Sequence, residues 1–227
     1  MADLAFYRLQ QLINPNLPIG GFTYSQGIEW AVEEKWITNR QESLIWLEEL
    51  LGNSLETFDL PLLSRLYTSV KEENVDSFHY YAQLAYAGRE TKELRLEDTQ
   101  CAEALIRVLS QLGEVDTWPL WPLLFEVCKK TLLAPFAMAG CYWKISLEQV
   151  LAGFLWSWLE NRVACLVKVV PLGQSDGQWL LHSLSETLDE TIKKVLTIED
   201  NALGSSAFGM VLASCQHETQ YCRLFRS

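Results

Sequence analysis

The stretch that most restricts the fold runs from Ser146 to Pro171. Between them lies LEQVLAGFLWSWLENRVACLVKVV, a segment apolar on nearly every side of a helical projection. Ser146 with Gln149 three residues on forms a capping-box pattern that starts a helix, and Pro171, which cannot continue one, stops it near Val170. Lys168 sits near the end of the segment, where a cation meets the negative pole of the helix dipole. A helix without a polar face has to be covered all round, so the rest of the chain is expected to wrap about residues 147–170. Its most apolar part, Gln149 to Leu159, is interrupted at Glu160 and Arg162 and reads as too short to cross a bilayer. The expectation is a buried core helix and no membrane anchor.

What surrounds it is helical too. Leu4, Phe6, Leu9, Leu12 and Ile13 recur at helical spacing, and Leu44, Leu47, Leu50 and Leu51 form a stripe in a helix expected to open at Thr38. Pro61 suits the first residue of a helix through Val70, Asp76 or Ser77 suits the cap of the next, and a long helix carries Leu105, Ile106, Val108 and Leu109 to Gly113. Pro122 is expected to start a helix over Leu123 to Leu133, with Pro135 forcing a break. Asp176 or Gly177 leads into a helix through Lys194, and a last one covers about Phe208 to Ser214. No apolar run alternates with period two between turn residues, so strands have no support. The reading is an all-α, single-domain bundle of roughly ten helices over residues 1–227, with no linker and no fixed-period repeat.

Charge and thiols narrow the function. A net charge of −11 argues against a nucleic-acid partner, because phosphate binding needs a basic face. Eight carboxylates between Glu29 and Asp59, against Lys35 and Arg40 alone, give a solvated acidic face or a docking face for a basic partner. The six cysteines include no Cys-x-x-Cys pair and no secretory leader precedes Asp3, which points to reduced thiols in the cytoplasm. The 9 tryptophans are scattered, so most are expected in the core with a few left for an interface.

The punctuation is densest in NPNLPIGGFTYSQGIE, residues 14–29, where Pro15 and Pro18 fix φ and Gly20 and Gly21 can take φ > 0. This is a stiff corner between helices. Thr23 with Gln26 reads as a capping box, or Ser25 as the cap, for a helix carrying Ile28, Trp30 and Ala31 inward. A phosphate loop is excluded, since no glycine is followed by lysine. The corner resembles the N-terminal signature of the F-type urease accessory proteins. Later stretches are similar to that family's landmarks in the same order: AGRETKELR at 87–95, VPLGQ at 170–174, and HETQYCRLFRS at 217–227.

The resemblance implies an all-helical scaffold without catalysis of its own. Such proteins dimerise, bind the D- or H-type accessory protein and thereby recruit the G-type GTPase, so that nickel is delivered into apo-urease. On that resemblance Tyr24, Glu29, Arg89, Lys168, Gln174, Tyr221, Arg223, Leu224 and Phe225 are the partner-binding candidates, with Pro15, Pro18, Gly20, Gly21 and Gly173 as turn residues. The tail, 215–227, combines aromatic and aliphatic anchors with arginines and is expected to order when a partner arrives. The alternative is that it folds back onto the chain's own acidic helices. Arg89 and Glu93, four apart, form an expected ion pair. Two other functions compete with the scaffold. Arg89 or Arg223 could serve as an arginine finger of a GTPase regulator, and Cys215 with His217 could carry nickel. The three histidines, His79, His182 and His217, are too scattered for a catalytic metal set, and no cofactor is expected.

Overall fold

The computed structural model describes residues 3–227, and every described element is helical. In chain order these are α1 (Leu4–Leu12), α2 (Ile28–Glu33), α3 (Arg40–Leu50), α4 (Leu60–Lys71), α5 (Val75–Ala87), α6 (Lys92–Gln111), α7 (Trp121–Cys128), α8 (Leu133–Tyr142), α9 (Leu147–Val169), α10 (Gln174–Val195) and α11 (Phe208–His217). The long apolar segment is the centre. In α9 Ser146 accepts from the Gln149 amide while the Gln149 side chain accepts from the Ser146 amide, as the capping box requires. Its first half closes the larger apolar core, shared with α4, α5, α6, α7 and α8. Its second half closes a smaller core with α2, α3, α10 and α11, in which Phe225 of the tail is buried.

By length and composition α9 would pass as a bilayer-spanning helix, which corrects the reading that the apolar run is too short. Its neighbours in the bundle bury half of that apolar stretch (50%), so it is not covered all round as expected, and Arg162 in its second half is buried beside Glu97 of α6.

Several local expectations change. The second and third helical stretches are continuous: α3 runs through a π-helical segment, Leu51–Asp59, directly into α4. There the Leu60 amide reaches back to the Leu55 carbonyl, five residues away. This wider turn offsets the usual bonding pattern, so Pro61 sits inside a helical run rather than opening a separate helix. It also turns Asp59 inward and lays the Phe58 ring on Gly88, where an added Cβ would lie 2.2 Å from the ring carbon. Pro135 falls in the first turn of α8, where no intrahelical donor is lost, so it opens the helix and breaks nothing. The caps of α5 and α3 are Asn74 and Asn39, whose side chains accept first-turn amides. Of the tryptophans, Trp118, Trp121 and Trp143 are buried, Trp36 is exposed and the rest are half-buried.

Candidate functional site

The glycine corner and the tail meet on one face of the molecule. Gly20 adopts φ 78°, the left-handed value anticipated for it, and the chain then makes a short 3-10 turn over Gly21–Thr23. Gly21 itself stays outside that region, and a Cβ there meets only Asn161 at 3.7 Å. The expected capping box does not form. The Thr23 hydroxyl donates to the Gly20 carbonyl, and the Gln26 side chain turns inward to Glu97 and to the Trp158 indole N–H. The helix starts instead at Gly27, at φ 80°, where Ala213 and Ser214 of α11 also leave no room for a side chain: an added Cβ would lie 2.8 Å from each.

This placement presents Glu29, in the first turn of α2, to the tail. Its carboxylate accepts the backbone amides of Leu224 at 2.6 Å and Phe225 at 2.8 Å, and lies 3.3 Å from His217 Nε2. Glu93, in the first turn of α6, takes the other side of the same ring, 2.8 Å from His217 Nδ1, and accepts from Arg223 Nη1 at 2.8 Å. His217 is fully buried, with a carboxylate oxygen at each ring nitrogen. Each ring nitrogen thus has a carboxylate oxygen as its partner, which fixes the ring plane between α2 and α6. The two carboxylates are thereby hydrogen-bonded to the ring, to the tail amides and to the Arg223 guanidinium, the partners that let such groups be buried.

The last residues continue the clamp. The Arg226 amide donates to the Thr23 carbonyl at 2.8 Å, the Ser25 amide and hydroxyl both donate to the Ser227 carbonyl, and Gln100 Oε1 accepts from the Tyr24 hydroxyl at 2.6 Å and from Arg226 at 3.3 Å. Lys168 lies 5.6 Å from the Phe225 ring and 5.9 Å from Phe22, a cation over two aromatic faces. Burial raises the Tyr24 phenol above its ordinary range, so it remains a donor. The tail is thus seated on this chain's own acidic helices. Tyr221 (105% exposed) and Leu224 (67%) are left pointing outward.

Of the residues singled out in the sequence, Tyr24, Glu29, Lys168, Arg223 and Phe225 converge here, with Tyr221 and Leu224 on the rim. Gln174 is the exposed first residue of α10 and Gly173 its extended N-cap, while Pro15 and Pro18 lie exposed in the corner. Arg89 lies in the interior. It pairs with Asp59 at 2.6 Å and Asp98 at 2.9 Å, not with Glu93. It precedes the helix cap Thr91, so the four-residue spacing to Glu93 is not a helical one. Burial pulls its guanidinium toward neutrality, but the two aspartates outweigh that and hold its pKa above the ordinary value. These groups floor a cavity of about 120 Å³ with Glu97, Arg162 and Trp158, walled by Leu17, Phe58 and Phe154.

Glu97 and Gln100 are residues the sequence reading missed, and Glu93, read there only as a partner of Arg89, belongs with them. Their spacing of four and then three puts them on one face of α6, a polar stripe that was legible. Cys215 is exposed on α11, whereas His217 has both ring nitrogens committed to carboxylates on opposite sides, so they do not converge on an ion. Among the described residues no three His, Cys, Asp or Glu side chains gather as a metal set.

Fold and site together define an all-helical protein whose N-terminal corner and C-terminal tail are clamped into one surface. The UreF family model matches residues 37–185. The chain is 49% identical to the urease accessory protein UreF of Alcanivorax borkumensis, with 100% of each chain covered. Those of Pseudomonas putida (42%, 100% of this chain and 99% of the relative) and Alkalilimnicola ehrlichii (42%, 99% and 96%) are similar over the same span. The chain belongs to the UreF family of urease accessory proteins.

Proposed function

We propose that this protein is a cytoplasmic, non-enzymatic scaffold of urease maturation. As a homodimer it joins the D- or H-type accessory protein and the G-type GTPase, so that nickel is inserted into apo-urease. The observation that carries this reading is the clamp. Two segments far apart in sequence, 20–29 and 217–227, are built into one surface, and its buried carboxylates hold the tail backbone while Tyr221 and Leu224 face outward. A surface with rigid aromatic and aliphatic groups over a fixed backbone has the composition of a binding hot spot. The tail is then the partner-responsive element: a partner engages its rim and re-seats or stabilises it.

The two competing functions draw less support. An arginine finger needs a guanidinium free to reach a nucleotide, and Arg89 is held by two buried aspartates. Arg223, 40% exposed, is the remaining candidate for that role. A tail nickel carrier would have to dismantle the His217 pairing before the ring could serve as a ligand.

Co-purification from cells expressing this protein with and without the other accessory proteins and urease tests the proposal. A complex that forms only with those proteins, and urease activity that depends on it, is the expected result. Stimulation of single-turnover GTP hydrolysis that Arg223→Ala abolishes would favour the regulator instead, and nickel retained by the isolated protein in equilibrium dialysis would favour the carrier.

A further inference from the structure

Among the described residues, Trp36, Ile45 and Phe208 take no part in the apolar cores. Trp36 is 41% exposed, and Ile45 and Phe208 are more so, large apolar groups that folding does not bury. A run of contacts joins them. The Trp36 ring meets Trp30 of α2 edge-on, with centroids 5.0 Å apart, and lies 6.4 Å from Trp46 of α3. Ile45 precedes Trp46 on α3, and the first turn of α11 leans on the Trp46 ring, since a Cβ on Gly209, the residue after Phe208, would lie 3.6 Å from it. The backbone is bent to make this face: Lys35, just past the end of α2, stands at φ 62°, and the Trp36 amide donates back to the Ala31 carbonyl at 2.8 Å. That left-handed residue folds Trp36 back onto Trp30.

Carboxylates flank the face. Residues three and four apart are neighbours on a helix surface, which sets Glu33 and Glu34 beside Trp30, and Glu42, Glu48 and Glu49 beside Ile45 and Trp46. Lys35 is the one cation in residues 29–39, and Arg40 is turned away to the Trp179 ring at 4.7 Å and to Asp176. Carboxylates and indole faces both attract cations. The Trp30 and Trp36 rings touch, so a small cation finds no slot between them and the occupant has to lie across the face. A second copy of this chain would bring its own net charge of −11 against these carboxylates.

We infer that this tryptophan face docks a cationic segment of another protein, with arginine or lysine side chains over Trp36 and among the carboxylates, and aliphatic ones on Ile45 and Phe208. The inference rests on the reading that this chain assembles with other maturation proteins. It adds a second contact area beside the clamp, where Glu33 of α2 accepts from Gln220 of the tail.

The test titrates the full-length protein with the purified D- or H-type accessory protein, the G-type GTPase and apo-urease, singly and together, beside melting temperatures of the same preparations. Trp36→Ala, and separately the pair Glu34→Lys, Glu48→Lys, should each weaken assembly with one of these proteins roughly tenfold or more while the melting temperature holds. The pair Glu103→Lys, Glu148→Lys makes the same charge change at exposed positions on α6 and α9, around the larger core, and should assemble as the parent does. A parent that assembles and face variants that assemble equally well overturn the inference and leave the scaffold reading standing. Equal loss in the Glu103, Glu148 pair also overturns it, since the overall field of the chain would then suffice. A face variant that changes the oligomeric state of the protein alone, with assembly kept, overturns it in favour of a second copy. A parent that assembles with none of these proteins overturns both readings. Should Trp36→Ala not fold, the Glu34, Glu48 pair decides by the same outcomes.

Discussion

Gly20 and Gly27 hold the backbone at φ 78° and 80°, while Gly21, beside the first, does not. A side chain in the left-handed region costs about 1–3 kcal/mol when the surroundings fix the conformation. Gly20 has open space where a Cβ would go, but Gly27 has the α11 backbone 2.8 Å away. Chemical denaturation should therefore rank alanine variants Gly27 worst, Gly20 next, at a loss of about 1–3 kcal/mol, and Gly21 close to neutral; an equal loss at Gly20 and Gly21 would refute this. The sequence pattern marked the glycine pair but could not say which member turns left-handed. It also passed over Gly27, whose need comes from a helix almost 190 residues away in sequence, on the order of the span from α2 to α11.

Arg223 shows a similar limit. A bidentate fork predicts that lysine fails as badly as alanine, but the guanidinium makes one bond to Glu93 and is 40% exposed. On tail seating, Arg223→Lys is expected to be milder than Arg223→Ala, and the alanine change to cost only about 0.2–1 kcal/mol after solvent screening. Exchange of the Leu224 and Phe225 amides measures both. The thiols divide by burial: desolvation raises Cys101 and Cys128 above the thiol range and pushes Cys165 up to about 12, whereas Cys215 and Cys222 are exposed. Titration of the native protein with a chromogenic disulfide should modify Cys215 and Cys222 first, identified by peptide mapping, and fast labelling of Cys128 would contradict the buried assignment.

Among the elements, the helices that were legible are those with their own signals. The capping box at Ser146, the Pro171 stop and the apolar stripes of α3 and α6 follow from local chemistry, and their boundaries came out close. The π-helical segment was not legible. Gly52, Asn53 and Ser54 are poor helix formers that suggest a break, and only packing of Asp59 and Phe58 against the Gly88–Arg89 turn shows why the chain widens instead. The tail also exceeds what its composition reveals. Its basic residues and aromatic anchors were readable, but the acceptors lie on α2 and α6, and which carboxylates of an acidic chain they find is a tertiary matter. Removing residues 217–227 takes away the buried His217 and Phe225 and the hydrogen bonds that Glu29 and Glu93 make to His217, to the tail amides and to Arg223. Losing the burial of an aromatic side chain such as Phe225 alone costs about 1.5–3 kcal/mol. The truncated chain should therefore melt several degrees lower in a thermal scan, and an unchanged midpoint would show that the clamp contributes nothing to the fold.

On the scale of the whole molecule, α9 makes the two cores one body, and the clamp closes the second core from outside through Phe225. The fold class was readable because a helix apolar all round has few ways to be covered. The site was readable only in its landmarks, since the corner and the tail were each visible but their meeting was not. The central claim is that this clamped surface is where the other urease maturation proteins dock. Tyr221 and Leu224 are its exposed rim and carry little of the fold, so the double variant Tyr221→Ala, Leu224→Asp separates docking from stability. The decisive measurement is co-purification of that variant with the other accessory proteins, beside its melting temperature. The account predicts an unchanged melting temperature with the complex lost, and a variant that folds and assembles as the parent does would contradict it.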